Sequence, residues 1–250
     1  MSPHSSQDQM EDILSHIPCS RVIEFKSRAI IYDEGQPLSH LYLVIAGTVK
    51  ISKAAESGKE LIIDIYRTDE FFGLSGFVTP GRSPERATAH KTVQLMRWSV
   101  QEITEIIGRQ PRLGIALLQM VVQRLMDHEI RVSSYSLDTI PCRLARTLLY
   151  LGDRFGTAER DGTIQMTSFT HLLLSEFLGT SRAMVSKCMS RLQRDGYVKY
   201  SRRGMTLNRE ALEKWIESGP EAAPPDECGP GPEMILGTNN EFGGEYGEFR

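Results

Sequence analysis

The chain has 250 residues, 40% of them hydrophobic and 24% charged, which suits two modest domains with a core each. No apolar run approaches the roughly 20 residues needed to span a bilayer, and the opening MSPHSSQDQMEDILSHIP lacks the basic-then-apolar order of a secretion signal. A cytoplasmic protein with no membrane partner is expected. The formal net charge of −3 hides an uneven spread. Residues 138–218 are net basic, whereas the stretch after Gly219 sets Glu221, Asp226, Glu227, Glu233, Glu241, Glu245 and Glu248 against Arg250 alone. Cys19, Cys142, Cys188 and Cys228 are scattered and form no CxxC or Cys/His cluster, so no metal site, disulfide framework or iron–sulfur cofactor is indicated.

In chain order, residues 1–20 begin polar and end in a short amphipathic turn stopped by Pro18. From 21 to 109 the pattern becomes short strands: VIEF, AIIY, LYLVIAG, TVKISK, ELIIDIY, EFFG, RATAH and VQLMRW. Asp33-Glu34-Gly35, Ala46-Gly47, Ser57-Gly58 and Thr79-Pro80-Gly81 punctuate them, which predicts a β-sandwich or barrel. Alternation in Leu41-Leu43-Ile45 and Leu61-Ile63-Ile65 points one face of each strand into the core.

A helical stretch follows from Val100 to about Tyr135, interrupted near Pro111. Over residues 110–137, Leu118, Val121, Leu125, Val132 and Tyr135 recur at three- and four-residue spacing, with His128 in the same stripe. A seam of this kind needs a partner, either a second copy or the chain's own β-domain. The helix should break at Leu137-Asp138-Thr139. Asp138 or Thr139 can cap the next helix, with Pro141 in its first turn.

Residues 138–218 hold the most informative stretch, Thr167–Gly204. Thr167, Ser168 and Thr170 offer capping oxygens for a helix carrying Leu173, Leu174, Phe177 and Leu178. Gly179 allows the chain to leave that helix, and Thr180 or Ser181 caps a second, 180–194, with Val185, Met189 and Leu192 as its buried stripe. Strands at Tyr197–Tyr200 and Met205–Leu207 enclose the Arg203-Gly204 turn. This is a winged helix-turn-helix. Arg182, Lys187, Arg191, Arg194, Lys199, Arg202, Arg203 and Arg209 are opposed between Thr180 and Arg209 by Asp195 alone, a balance suited to DNA phosphates. Arg182 lies on the first turn, where a guanidinium fork can take guanine O6 and N7 together. Residues 219–250, rich in Pro, Gly and acid, are expected to be disordered.

The runs GQPLSHLYLVIAGTVKISK and SGKELIIDIYRTDEFFG, with glycines at 35, 47, 58 and 73, and the segment LGTSRAMVSKCMSRLQRDGYV resemble the CRP/FNR family of bacterial transcription regulators. The likeness covers roughly residues 10–215. It implies an α+β chain: an N-terminal jelly-roll sensor of the cyclic-nucleotide-binding type, a long dimerisation helix and a C-terminal winged helix-turn-helix. The expected partners are double-stranded DNA, a second copy of the chain and RNA polymerase. Thr170, His171, Thr180, Ser181, Arg182, Ala183, Ser186, Lys187, Arg202 and Arg203 fall on its DNA-binding face. Leu118, Val121, Leu125 and Val132 fall on its dimer seam.

The resemblance also marks an effector pocket at Gly73, Leu74, Ser75, Arg82, Ser83, Arg86, His128 and Glu129. In cAMP-responsive members that pocket reads Gly-Glu-Leu, followed by an Arg-Ser or Arg-Thr pair. Here Leu74 stands at the Glu, and Ser83-Pro84 falls at the pair, give or take a residue. The usual cAMP pose therefore loses both its hydroxyl acceptor and its phosphate partner. A shifted anion site using Arg82 or Arg86 stays open, as does the need for any effector. Two other classes of function are weaker: a ligand-binding module acting through protein partners has no use for the basic face around Arg182, and an enzyme would need a His–acid pattern near Ser75 or Ser181 that the sequence lacks.

Overall fold

The computed structural model describes residues 21–55, 58–78, 82–201 and 204–219. The N-terminal segment and the acidic tail from residue 220 lie outside the described residues, as do Arg202 and Arg203. The short strands form two antiparallel sheets. One is ordered β1 (Val22–Phe25), β8 (Val93–Ser99), β3 (His40–Ala46), β6 (Phe71–Phe72); the other is β2 (Ile30–Tyr32), β7 (Arg86–Ala89), β4 (Val49–Ala54), β5 (Glu60–Tyr66). They close on one another through a buried cluster that takes Tyr42, Val44, Phe72 and Leu95 from the first sheet and Tyr32, Val49, Ile51 and Ala87 from the second. The four glycines at 35, 47, 58 and 73 all have positive φ. At Gly73 the reason is visible: φ is +86°, and a Cβ there would stand 2.9 Å from the His40 carbonyl.

Strand β3 is apolar on both sides because both sides are covered. Tyr42 and Val44 enter the roll, while Leu41 and Leu43 pack outward with Trp98, Ile103, Leu113 and Leu117. The last three belong to α1 (Val100–Arg109) and α2 (Pro111–Leu137). Ser99 and Glu102 form a reciprocal capping box at the start of α1. Pro111 opens α2, a 27-residue helix about 40 Å long. Among the described residues no helix is long and apolar enough to cross a membrane.

Strand β5 departs from the expected alternation. Its pairing with β4 shifts register between Ile51 and Ser52, which face Asp64 and Ile62 respectively. This bulge leaves Ile63 and Tyr66 against the roll core, while Ile62 and Ile65 join a second core outside it. Leu61 is exposed. The predicted Leu61-Ile63-Ile65 face is therefore split between two sides.

That second core belongs to the C-terminal elements: α3 (Ile140–Phe155), β9 (Gly156–Ala158), β10 (Thr163–Met166), α4 (His171–Leu178), α5 (Arg182–Arg194), β11 (Val198–Tyr200), β12 (Met205–Asn208) and α6 (Arg209–Glu217). Leu144, Leu148 and Leu151 meet in it with Leu173, Leu174, Phe177, Val185, Met189 and Leu192, the last six as their spacing predicts. The strands pair in the order β11-β12-β10-β9. Two elements go beyond the sequence reading. Residues 156–158 pair with β10 from Gly156↔Met166 to Ala158↔Ile164. Helix α6 is capped by Asn208 and buries Leu212 and Ile216, an i,i+4 pair that was the available signal.

Candidate nucleic-acid interface

The recognition segment is built by its caps. Thr170 Oγ1 accepts the Leu173 N–H at 3.1 Å, and Ser181 Oγ accepts the Met184 N–H at 3.1 Å. Gly179, at φ +64°, turns the chain between the two helices. The half-buried Thr180 donates its backbone N–H to the Ser175 carbonyl at 3.1 Å, tightening that turn. Burying Val185, Cys188, Met189 and Leu192 leaves Arg182, Ala183, Lys187, Ser190 and Arg194 exposed on the opposite side of α5, with Ser186 half-buried among them. The first turn of α5 carries no acid, and Arg182 has no ion-pair partner among the described residues. His171, the first residue of α4, lies beside this row, its Nδ1 2.8 Å from Ser186 Oγ and its ring 5.5 Å from that of Tyr200.

The free basic charge is smaller than the sequence suggests. Asp195 meets Arg194 at 3.4 Å and Arg191 at 3.8 Å. Arg209 opens α6 and pairs with Asp153, and with Glu213 at 3.3 Å. It is thereby a structural cation.

The eight effector-pocket residues have separate engagements. Gly73 is buried at its turn, Leu74 packs into the apolar cluster around Trp98, and Ser75 Oγ is buried without a partner among the described residues. Ser83 is buried and donates to the Glu85 carbonyl at 2.7 Å. Arg86 is held by Asp33 through two hydrogen bonds of 2.7 and 3.0 Å, while Arg82 is exposed. His128 is half-buried, and burial, with Arg131 and Arg124 against Asp64, keeps its imidazole below its ordinary pKa. Glu129 is exposed and lines a groove with Met126, Ile130, Ser133 and Arg146. Beside the pocket stands an acid that the sequence reading passed over. Glu85 accepts from the Tyr32 hydroxyl at 3.2 Å, and burial pushes its carboxyl above the usual range.

On α2, Leu118, Val121, Leu125 and Val132 are 62, 41, 56 and 66% exposed. Ile115, Val122, Met126 and Ile130 are exposed too and widen the apolar face beyond the four residues named from spacing. The opposite side of the same helix carries a buried ionic network. Asp64, only 2% exposed, accepts from Arg124 of α2 and, at 2.7 Å, from Arg154 of α3. Glu70 accepts from the same two arginines at 3.1 and 2.6 Å. The Arg124 guanidinium lies 3.8 Å above the Tyr66 ring. Nearby, Arg131 donates to the Ile62 and Ile63 carbonyls, Tyr135 donates to the Phe177 carbonyl at 3.0 Å, and Lys50 lies 3.7 Å from Glu176. Roll, long helix and winged domain are thus joined by charge as well as by core. Asp64, an acid inside the apolar run LIIDIY, was the sequence sign of it.

A sensor roll, a long helix and a winged helix-turn-helix with an exposed basic recognition face define a DNA-binding regulator. Residues 22–110 match the cyclic nucleotide-binding domain and residues 142–215 the Crp-like helix-turn-helix domain. The chain belongs to the CRP/FNR family of transcription regulators. A CRP-like cAMP-activated global transcriptional regulator of Mycobacterium tuberculosis is 26% identical over 187 residues, 74% of this chain and 83% of its own. A global nitrogen regulator of Synechocystis is 24% identical over 186 residues, with the same coverage of both chains. Among solved structures, a CRP/FNR family regulator from Thermus thermophilus is 25% identical, with a TM-score of 0.64 over 80% of this chain and all of its own. FixK2 from Bradyrhizobium japonicum shares the fold at a TM-score of 0.70 and 21% identity, over 79% of this chain and 97% of its own.

Proposed function

We propose that this regulator works in the cytoplasm as a homodimer on a palindromic duplex site, with α5 of each protomer in the major groove and RNA polymerase as a further partner, and that cAMP in its usual pose is not its effector. The observation that carries the reading is the outward row of α5, headed by Arg182 with no ion-pair partner among the described residues. The uncovered apolar face of α2 supports a second copy as its cover. Two recognition helices related by that axis would meet half-sites about 34 Å apart, one turn of B-DNA.

Base reading and phosphate contact are expected to separate by residue. Relatives carry Ser-Arg-Glu at the start of the recognition helix, with the Arg on guanine and the Glu on cytosine; here the third residue is Ala183, which has no acceptor for cytosine N4. The site should keep a strong G opposite Arg182 and relax at the neighbouring position. Selection of bound duplexes from random DNA gives the site. Arg182→Ala should then cost about 1–3 kcal/mol and flatten preference at that G, whereas Arg202→Ala or Arg203→Ala should weaken all sequences alike and lower the salt slope by about one. Equal losses for Arg182→Ala on matched and single-base-changed duplexes would reduce it to a phosphate contact.

Against cAMP stand Leu74 in an apolar cluster, Arg86 already neutralised by Asp33, and Glu85 where an anion would want a cation. A bound ligand at 100 times its Kd would add about 2.7 kcal/mol of stability. The melting temperature is expected to stay flat in cAMP titrations, and a clear rise at modest concentration would overturn this part of the reading.

A further inference from the structure

Resting on the DNA-binding reading above, we infer that His171 is a proton-linked phosphate contact, so that each winged domain takes up a proton as it binds DNA. Ser186 Oγ lies 3.0 Å from the Arg182 carbonyl, which can only accept, so the single serine hydrogen is donated there. The same oxygen is 2.8 Å from His171 Nδ1 and must accept from it. The neutral ring is therefore the Nδ1–H tautomer, and its Nε2 carries a lone pair with no partner among the described residues.

The ring sits beside Arg182 and Ser186, which are one turn apart on α5 and share its exposed side. A phosphate meeting the neutral ring there faces a lone pair and is repelled. Protonation converts Nε2 into a charged donor and leaves the Ser186 bond untouched, so the change needs no rearrangement. Among the described residues the charged group acting on the ring is Arg182 of α5; β11 contributes the Tyr200 ring, and no carboxylate acts on it. Burial first, then Arg182, holds the imidazole below its ordinary pKa in the free protein. A phosphate opposes both effects and raises it. Between the free and bound values, binding gains one proton per domain, and affinity rises as pH falls.

The test is DNA binding by the full chain at constant ionic strength between about pH 5.5 and 8.5, a span that brackets the ordinary imidazole range. The wild type, His171→Gln and His171→Arg are compared on the selected duplex. Gln keeps a donor for Ser186 and does not titrate; Arg is charged throughout. The wild type should tighten by up to about tenfold per pH unit for each domain engaged. His171→Gln should stay flat at the weak, high-pH level, and His171→Arg flat at the tight, low-pH level. Calorimetry in two buffers of different ionisation enthalpy should register proton uptake for the wild type alone. Equal pH slopes for wild type and His171→Gln, or no proton uptake by the wild type, would overturn the inference and leave DNA binding standing. A wild type that selects no duplex at any pH would overturn both.

Discussion

The Asp64→Asn protein is expected to lose about 3–5 kcal/mol of unfolding free energy in urea, the usual cost of removing one member of a buried charge cluster. Both carboxylate oxygens are in use: Oδ1 accepts from Arg154 and from the Ile65 N–H, each at 2.7 Å, and Oδ2 accepts from Arg124. The amide would turn a donor toward one of these guanidiniums and leave two arginines to share Glu70. The effect should extend beyond stability. Asp64 belongs to the roll, Arg124 to the long helix and Arg154 to the winged domain, so the variant should also unfold in separated steps. Burial by itself would raise the Asp64 pKa, but Arg124 and Arg154 outweigh it and hold the carboxyl below the usual range. Its contribution is therefore complete above the unfolded value of about 4 and is lost as pH falls through the lower folded value. The gap between wild type and Asp64→Asn should be steady at neutral pH and close in acid. A loss under about 1 kcal/mol would show that the cluster is solvated and does not bind the domains together.

Leu125→Asp is expected to give a folded monomer that binds the selected duplex about 10²–10⁴-fold more weakly, because the second half-site is no longer engaged by a linked domain. Leu125 is 56% exposed in the protomer, so its replacement leaves the fold's own cores intact, and the melting profile of the monomer should show this. Across a two-fold seam the substitution would bury two carboxylates among Leu118, Val121 and Val122, with neither a partner nor water. Sedimentation measures the state and fluorescence anisotropy the affinity. A variant that still sediments as a dimer with unchanged DNA binding would place the seam elsewhere.

The features legible in the chain alone lie within a few residues of their cause. Thr170, Gly179 and Ser181 mark the ends of two helices because caps and positive-φ glycines act on their own turn. Leu173, Phe177, Val185 and Met189 identify the buried faces because helical period is a local property. The same holds for the turn at Gly73 and the boundary at Pro111. The family follows from these signals and their order along the chain. What meets across the molecule depends on the folded arrangement. The partners in the ionic network are far apart, Arg124 at 60 positions from Asp64 and Arg154 at 90. One bulge in β5 redirects Ile62 and Ile65 out of the roll and into the winged domain's core. Arg86 and Arg209, read from the sequence as cations for an anion or for DNA, are instead committed to Asp33 and Asp153. The tautomer of His171 follows from a serine fifteen residues away and the carbonyl that this serine reaches. Charge and hydrogen bonding act through space with no period along the chain, so such pairings become legible only once folding has brought the partners together.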